Sequence, residues 1–131
     1  MNKDIKEKLE KELELQGDMY FPEIERFFED NNFDYKGDKT LRLNDNQSII
    51  VWCDWNQEAV DLVCGLISDK NNNIALRCFN NMIEVMLSGG GLRLPIAKKD
   101  NYKYKKPHWL PGQLIWIKNK NTNKTYYMPQ E

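Results

Sequence analysis

The chain has 131 residues, 40% of them hydrophobic and 30% charged, which suits one domain with enough apolar mass to form a core. This balance excludes a disordered chain, and the lack of any apolar run of about 20 residues excludes an evident membrane-spanning helix. The net charge of −1 is unevenly spread, because residues 1–91 carry 10 basic and 18 acidic side chains whereas residues 92–131 carry 9 and 2.

Two interpretations of this charge asymmetry stay open. In the first, the acidic and basic parts neutralise each other across a shared surface of one fold. In the second, one of the two parts forms a surface for an oppositely charged partner.

Two amphipathic helices are predicted in the first third of the chain, over residues 3–15 and 22–32. Gly17 is a stop signal for the first helix, and Pro22 is a favourable first residue for the second. The apolar positions recur at helical spacing and predict the buried faces: Ile5, Leu9 and Leu13 in the first helix, and Ile24, Phe27 and Phe28 in the second.

The rest of the chain predicts short strands around one inserted helix. Asp54 is placed to cap a helix near residues 55–68, where apolar side chains again recur at helical spacing. The alternative, a strand over residues 59–67 paired with residues 73–79, lacks strict alternation. The strand-prone runs are residues 41–43, 49–52, 74–79, 82–87, 92–96, 114–117 and 125–128. The predicted fold class is therefore α+β, with two N-terminal helices and one inserted helix packed on a mostly antiparallel sheet of about six or seven short strands.

We expect a single domain over residues 1–131, with a helical part at 1–32 and a sheet-rich part at 40–131. Within the sheet-rich part, the alternation of sides along a strand places Trp52 and Trp55 on opposite sides. One tryptophan is then expected in the core and the other at its rim.

Cysteine usage and the start of the chain favour a cytoplasmic location. Cys53, Cys64 and Cys78 are odd in number and widely spaced, which is typical of free buried thiols in a reducing compartment. The first residues are charged and do not form the apolar segment of a secretion signal. The abundance of Asn and Lys is typical of AT-rich genomes of bacteria and their phages, and we expect a bacterial, phage or mobile-element origin.

The most informative segment is the irregular stretch at residues 97–113, the longest without a clear period. It interleaves lysines with aromatic rings, and single-stranded nucleic-acid sites combine these residue types, because lysines neutralise phosphates while rings stack on bases. The alternative is a solvated loop with no ligand. The predicted binding residues are Lys98, Lys99, Tyr102, Lys103, Tyr104, Lys105, Lys106, His108 and Trp109.

Three functional hypotheses follow. The preferred one is a small non-enzymatic binding or accessory protein that engages nucleic acid, or an acidic protein surface, through this segment. The second is an inhibitor or adaptor that binds a basic protein through the acidic N-terminal helices. The third is a carboxylate-based hydrolase or nuclease, since Asp34-Tyr35-Lys36 is similar to the tail of a metal-dependent nuclease pattern.

No cofactor, metal ligand or catalytic residue is predicted. His108 is the only histidine, so one chain cannot supply a two-histidine metal site, and the cysteines lack the close pairing that zinc sites favour. No membrane partner is expected. The sequence is compatible with both a monomer and a dimer, because edge strands at 92–96 or 124–128 offer pairing between chains.

Overall fold

The computed structural model of the protein describes residues 2–43, 46–79, 85–86, 92–99, 102–118 and 126–127. In chain order its elements are α1 (Asn2–Gln16), β1 (Asp18–Tyr20), α2 (Phe21–Asp30), β2 (Lys36–Leu43), β3 (Asn46–Trp55), α3 (Gln57–Ser68), β4 (Ile74–Cys78), β5 (His108–Trp109), β6 (Gly112–Trp116) and β7 (Tyr126–Tyr127). The predicted α+β class is confirmed.

The strands form two sheets rather than the single sheet expected. One sheet has the order β1-β6-β4-β7, and the other has the order β2-β3-β5. Over the described residues these sheets have four and three strands, whereas about six or seven were expected in one sheet. Neighbours pair antiparallel except β4 with β7 and β3 with β5, which are parallel.

Helix α1 buries the apolar stripe that its spacing predicts. Leu9 and Leu13 are fully buried, and Ile5 is nearly so. The helix stops at Gly17, whose φ of +89° lies in the left-handed region that favours glycine. The Gly17 N–H donates to the Leu13 carbonyl at 2.8 Å, which closes the last turn.

Helix α2 begins one residue before the predicted start and has Pro22 in its first turn. The carboxylate of Glu23 accepts a hydrogen bond from the backbone N–H of Tyr20 at 2.9 Å, which satisfies a donor at the helix start. Ile24 and Phe28 are buried, as predicted. Phe27 is half-buried at the edge of the core.

Helix α3 confirms the inserted helix, but Asn56 caps it instead of Asp54. The Asn56 side chain accepts a hydrogen bond from the Ala59 N–H at 2.8 Å. Strand β3 continues as far as Trp55, which pairs with β2. Asn56 is therefore the first residue after the ladder, and Asp54 is still inside the strand.

Asp54 is the extra residue of a β-bulge, because the ladder with β2 skips it between Cys53 and Trp55. Its φ is +66°. The bulge reverses the alternation of sides, and both tryptophan rings are buried. The indole N–H groups of Trp52 and Trp55 donate to the same carboxylate oxygen of Glu25 at 2.8 and 2.9 Å. The expectation of one core ring and one rim ring was therefore wrong.

The predicted strand over residues 82–87 is contradicted where it is described, since Val85 and Met86 are helical. Strand β7 pairs in parallel with β4, where Arg77 lies opposite Tyr126 and Cys78 opposite Tyr127. Residues 80–81 (Asn-Asn) and 89–91 (Gly-Gly-Gly), whose residue types predict turns between these runs, lie outside the described residues.

The predicted strand over residues 92–96 is reduced to one bridge between Ile96 and Trp109. Pro95, which has no N–H to donate to a ladder, explains the loss of further pairing. Strands β1 and β5 were not predicted, because runs of three and two residues are too short to show a period.

The two sheets come together where β6 approaches β3. A Cβ atom on Gly112 would lie 3.1 Å from both Leu76 Cδ1 and Val51 Cγ1, so only glycine allows this approach without a shift. One hydrophobic cluster contains side chains from the three named helices and from both sheets. Among the described residues, no helix has the length and apolar character needed to cross a membrane.

Candidate functional site

The basic loop, defined here as residues 98–99 and 102–108, is hydrogen-bonded to the edge of the β2-β3-β5 sheet. On one side, the Leu110 N–H donates to the Ile50 carbonyl at 3.0 Å, beside the parallel pairing of β5 with β3. On the other side, Trp109 donates to the Pro95 carbonyl at 2.8 Å and accepts from the Ala97 N–H at 2.7 Å. The two ends of the loop therefore meet at a hydrogen-bonded base, and the loop is not a free linker.

All five lysines of the basic loop are exposed, which agrees with a polar surface segment. The loop thus carries several ammonium groups close together on the protein surface, where a polyanion can neutralise them. These lysines are Lys98, Lys99, Lys103, Lys105 and Lys106.

Three rings of the loop form an aromatic stack, defined here as Tyr102, Tyr104 and His108. The Tyr104 and His108 rings are stacked, with centroids 3.8 Å apart and planes 17° from parallel. Tyr102 meets Tyr104 edge to face at 4.7 Å and is 57% exposed. The stack therefore presents an accessible ring beside two rings that hold each other in place.

Backbone hydrogen bonds fix the middle ring of the stack. The Tyr104 hydroxyl accepts from the backbone N–H groups of Lys98 at 3.1 Å and Lys99 at 3.3 Å. Nδ1 of His108 lies 2.9 Å from the Lys106 carbonyl. Each of these contacts joins two parts of the loop, so the loop has internal structure that composition does not reveal.

Trp109, the ninth predicted binding residue, has a different position. Its ring is buried, and its indole N–H donates to the Val51 carbonyl at 3.1 Å. A ring in this position anchors the loop to β3 and does not present a face to a ligand. The structure brings the other eight predicted residues together at the surface and places Trp109 beneath them.

Two residues that hold the loop were missed by sequence reasoning. Asn46 is buried, and its Nδ2 donates to the Tyr102 carbonyl at 2.7 Å. The hydroxyl of Ser48 accepts from the Tyr104 N–H at 3.0 Å. Both belong to the turn-rich run between the first two predicted strands, and no local signal connects that run with a segment 56 residues further along the chain.

The surroundings of Tyr35 and Cys53 raise the pKa of both side chains and so disfavour their ionisation. Tyr35 of the Asp34-Tyr35-Lys36 run is buried, and its hydroxyl donates to Glu29 at 2.5 Å. Among the described residues, no group of three or more His, Cys, Asp or Glu side chains could hold a metal ion. Burial, together with the nearby Asp54 carboxylate, raises the pKa of the Cys53 thiol to about 11, which disfavours the thiolate that a nucleophile requires.

The N-terminal helices form a second surface feature, an open groove of about 430 Å³ between α1 and α2. Met19 and the half-buried Phe27 contribute its apolar part. The charged lining has both signs, which makes it less distinctive than the basic loop. The polar lining residues are Lys8, Lys11, Glu12, Gln16, Glu23, Arg26, Asp30 and Asn31.

Comparison of the chain with family models, with curated proteins and with solved structures finds no match. Function is therefore inferred from the geometry of the chain itself. In that geometry the basic loop combines positive charge, an exposed aromatic ring and a hydrogen-bonded backbone.

Proposed function

We propose that the protein binds single-stranded nucleic acid through the basic loop. The observation that carries the proposal is the aromatic stack with its exposed Tyr102, held on a tethered loop among five exposed lysines. Lysines supply attraction to phosphates that does not depend on base sequence, and an accessible ring supplies a surface for a base.

The aromatic stack favours a single strand over a duplex as the ligand. In a duplex the base faces are already stacked on their neighbours, so a protein ring reaches them only after unstacking, which costs a few kcal/mol. A single strand offers free base faces, and stacking on an aromatic side chain contributes about 1–3 kcal/mol for each base. Binding to duplex is then expected to depend on the lysines alone and to be weaker.

The function is tested by fluorescence anisotropy with labelled single-stranded and duplex oligonucleotides, at salt concentrations from about 50 to 200 mM. The comparison uses the wild type and a triple variant, Lys103→Ala, Lys105→Ala and Lys106→Ala. We expect the variant to bind the single strand at least about tenfold more weakly. The slope of its logarithmic affinity against logarithmic salt concentration should fall by about 0.7 for each phosphate that a removed lysine neutralises in the wild type.

A matched control removes three lysines from other surfaces: Lys8→Ala, Lys11→Ala and Lys70→Ala. The control has the same net charge as the test variant, so it separates the effect of position from the effect of total charge. An equal decrease in affinity in the two variants, or full binding by the test variant, contradicts the proposal. Binding of duplex in preference to single strand contradicts the assigned ligand.

A second candidate function is binding of a basic protein segment by helix α1, and one observation favours it. An open groove of about 210 Å³ beside Trp116 is lined by Glu7, Glu10 and Glu14, together with Lys11. Carboxylates next to an indole ring are suited to lysine or arginine side chains of a partner. Calorimetric titration with a lysine-rich peptide tests it, and a Glu7→Gln, Glu10→Gln, Glu14→Gln variant that binds the peptide like the wild type counts against it.

A further inference from the structure

Asn46 and Ser48, at the start of β3, hold the basic loop at two nearby backbone positions. Nδ2 of Asn46 donates to the Tyr102 carbonyl at 2.7 Å, and the Ser48 hydroxyl accepts from the Tyr104 N–H at 3.0 Å. These bonds lie on either side of Lys103. The backbone between the two tyrosines is thus fixed to the sheet by side chains of another strand.

The two side chains also hold each other. Oδ1 of Asn46 accepts from the Ser48 hydroxyl at 2.7 Å and from the Ser48 N–H at 3.2 Å. Asn46 is only 4% exposed, so its amide could not exchange these partners for water without cost. The Asn46–Ser48 clamp, as we call this pair, is therefore a connected unit in which each of these hydrogen bonds supports the same arrangement.

We infer that the Asn46–Ser48 clamp positions the aromatic stack for its ligand. The inference depends on the proposed function and deepens it, since it assigns two positioning residues that contact the loop backbone and not the nucleic acid. Fixing a backbone in one conformation costs conformational entropy, and a loop that is already ordered does not incur this cost when a strand binds. The clamp thus acts on affinity through the free protein.

The test uses Ser48→Ala and Asn46→Ala, with Ser48→Thr as the conservative variant that keeps the hydroxyl. Gln47→Ala is the matched control, because Gln47 is exposed on the same strand and its amide donates to the Leu43 carbonyl. Hydrogen exchange at the Tyr104 N–H reports on the clamp. Anisotropy with a labelled oligothymidine strand of about 15 nucleotides reports on binding.

We expect Ser48→Ala and Asn46→Ala to exchange the Tyr104 N–H faster and to bind the oligothymidine strand about fivefold more weakly. The salt dependence should stay unchanged in both, because no lysine is removed, and a general loss of structure would not preserve it. Ser48→Thr should restore both the exchange rate and the affinity, and Gln47→Ala should match the wild type.

The possible results distinguish the positioning role of the clamp from the proposed binding of nucleic acid. If the wild type binds the strand and both alanine variants bind it equally well, the positioning role is overturned while the proposed function stands. If the wild type does not bind even at low salt, the proposed function is overturned and the positioning role with it. If Asn46→Ala fails to fold, Ser48→Ala, at a half-buried position, still decides the matter.

Discussion

The protein contains two groups of aromatic rings with opposite surroundings. The inner aromatic cluster, defined as Phe21, Phe28, Tyr35, Trp52 and Trp55, is buried between α2 and β3. Its rings are 5.5 to 6.4 Å apart in stacked, tilted and edge contacts. The aromatic stack of the basic loop has similar ring contacts, but it lies at the surface with Tyr102 more than half exposed.

The difference lies in what satisfies the polar atoms of each group. In the inner cluster, the two indoles donate to Glu25 and the Tyr35 hydroxyl donates to Glu29, so carboxylates of α2 meet each polar tip. In the aromatic stack, backbone N–H groups of the loop donate to Tyr104. Ring contacts alone therefore do not mark a core, because both groups have them and only the inner cluster is buried.

The strongest way to test this comparison is to remove one ring from each group. Trp55→Ala should lower the free energy of unfolding by about 3–5 kcal/mol, because it leaves a cavity beside Phe28 and Phe21. Tyr102→Ala should change it by less than about 0.5 kcal/mol, since an exposed ring contributes little to stability. Chemical denaturation followed by circular dichroism measures both, and similar decreases would show that the two groups stabilise the fold alike.

Substitution of Glu25, which accepts hydrogen bonds from the inner aromatic cluster, should lower the free energy of unfolding by a smaller amount. Glu25→Ala should cost about 2 kcal/mol, because the buried indole N–H groups of Trp52 and Trp55 lose their common acceptor. Glu25→Gln keeps a carbonyl oxygen at that place and should cost clearly less. Denaturation midpoints compare the two variants, and equal decreases would mean that the shared acceptor is not what Glu25 contributes.

The aromatic stack gives the matching prediction for binding. Tyr102→Ala should weaken affinity for a single-stranded oligonucleotide by about tenfold. This lies in the lower part of the range of affinity losses seen when an aromatic side chain that stacks on one base is replaced by alanine. Tyr102→Phe keeps the ring and should bind like the wild type. Anisotropy measures both, with duplex affinity as the internal reference, because duplex binding should not change.

The parts of the fold that depend on local pattern were predictable. The stripe of α1 at Leu9 and Leu13 was confirmed, because helical spacing is visible within a few residues. The bulge at Asp54 was not predicted, since nothing in the run before it shows where the ladder with β2 would skip a residue. That one residue changed the position of both tryptophans.

The candidate site likewise has features that the local sequence predicts and features that depend on distant parts of the chain. Its charge and ring content can be read from residues 98–108, because composition is a local property. The burial of Trp109 and the contacts of Asn46 and Ser48 depend on pairing with β3, 56 or more residues earlier in the chain. Tertiary pairing at that separation has no sequence signal in a single chain.

The smallest expected effect is a decrease of stability in alkaline solution that depends on Tyr35. Burial, and then the hydrogen bond to Glu29, raise the pKa of this phenol well above its ordinary value of 10.0. The unfolded chain therefore releases the proton at a lower pH than the folded protein. The contribution of Tyr35 to stability is complete below about pH 10 and falls as the pH rises further.

Comparison of the wild type with Tyr35→Phe isolates this contribution. The free energy of unfolding should fall more steeply above pH 10 in the wild type than in the variant. Cys53, whose pKa is raised to about 11 by burial, works in the same direction but is present in both proteins. Equal alkaline slopes would mean that the phenol ionises as easily in the folded protein as in the unfolded chain, and that its burial against α2 does not protect it.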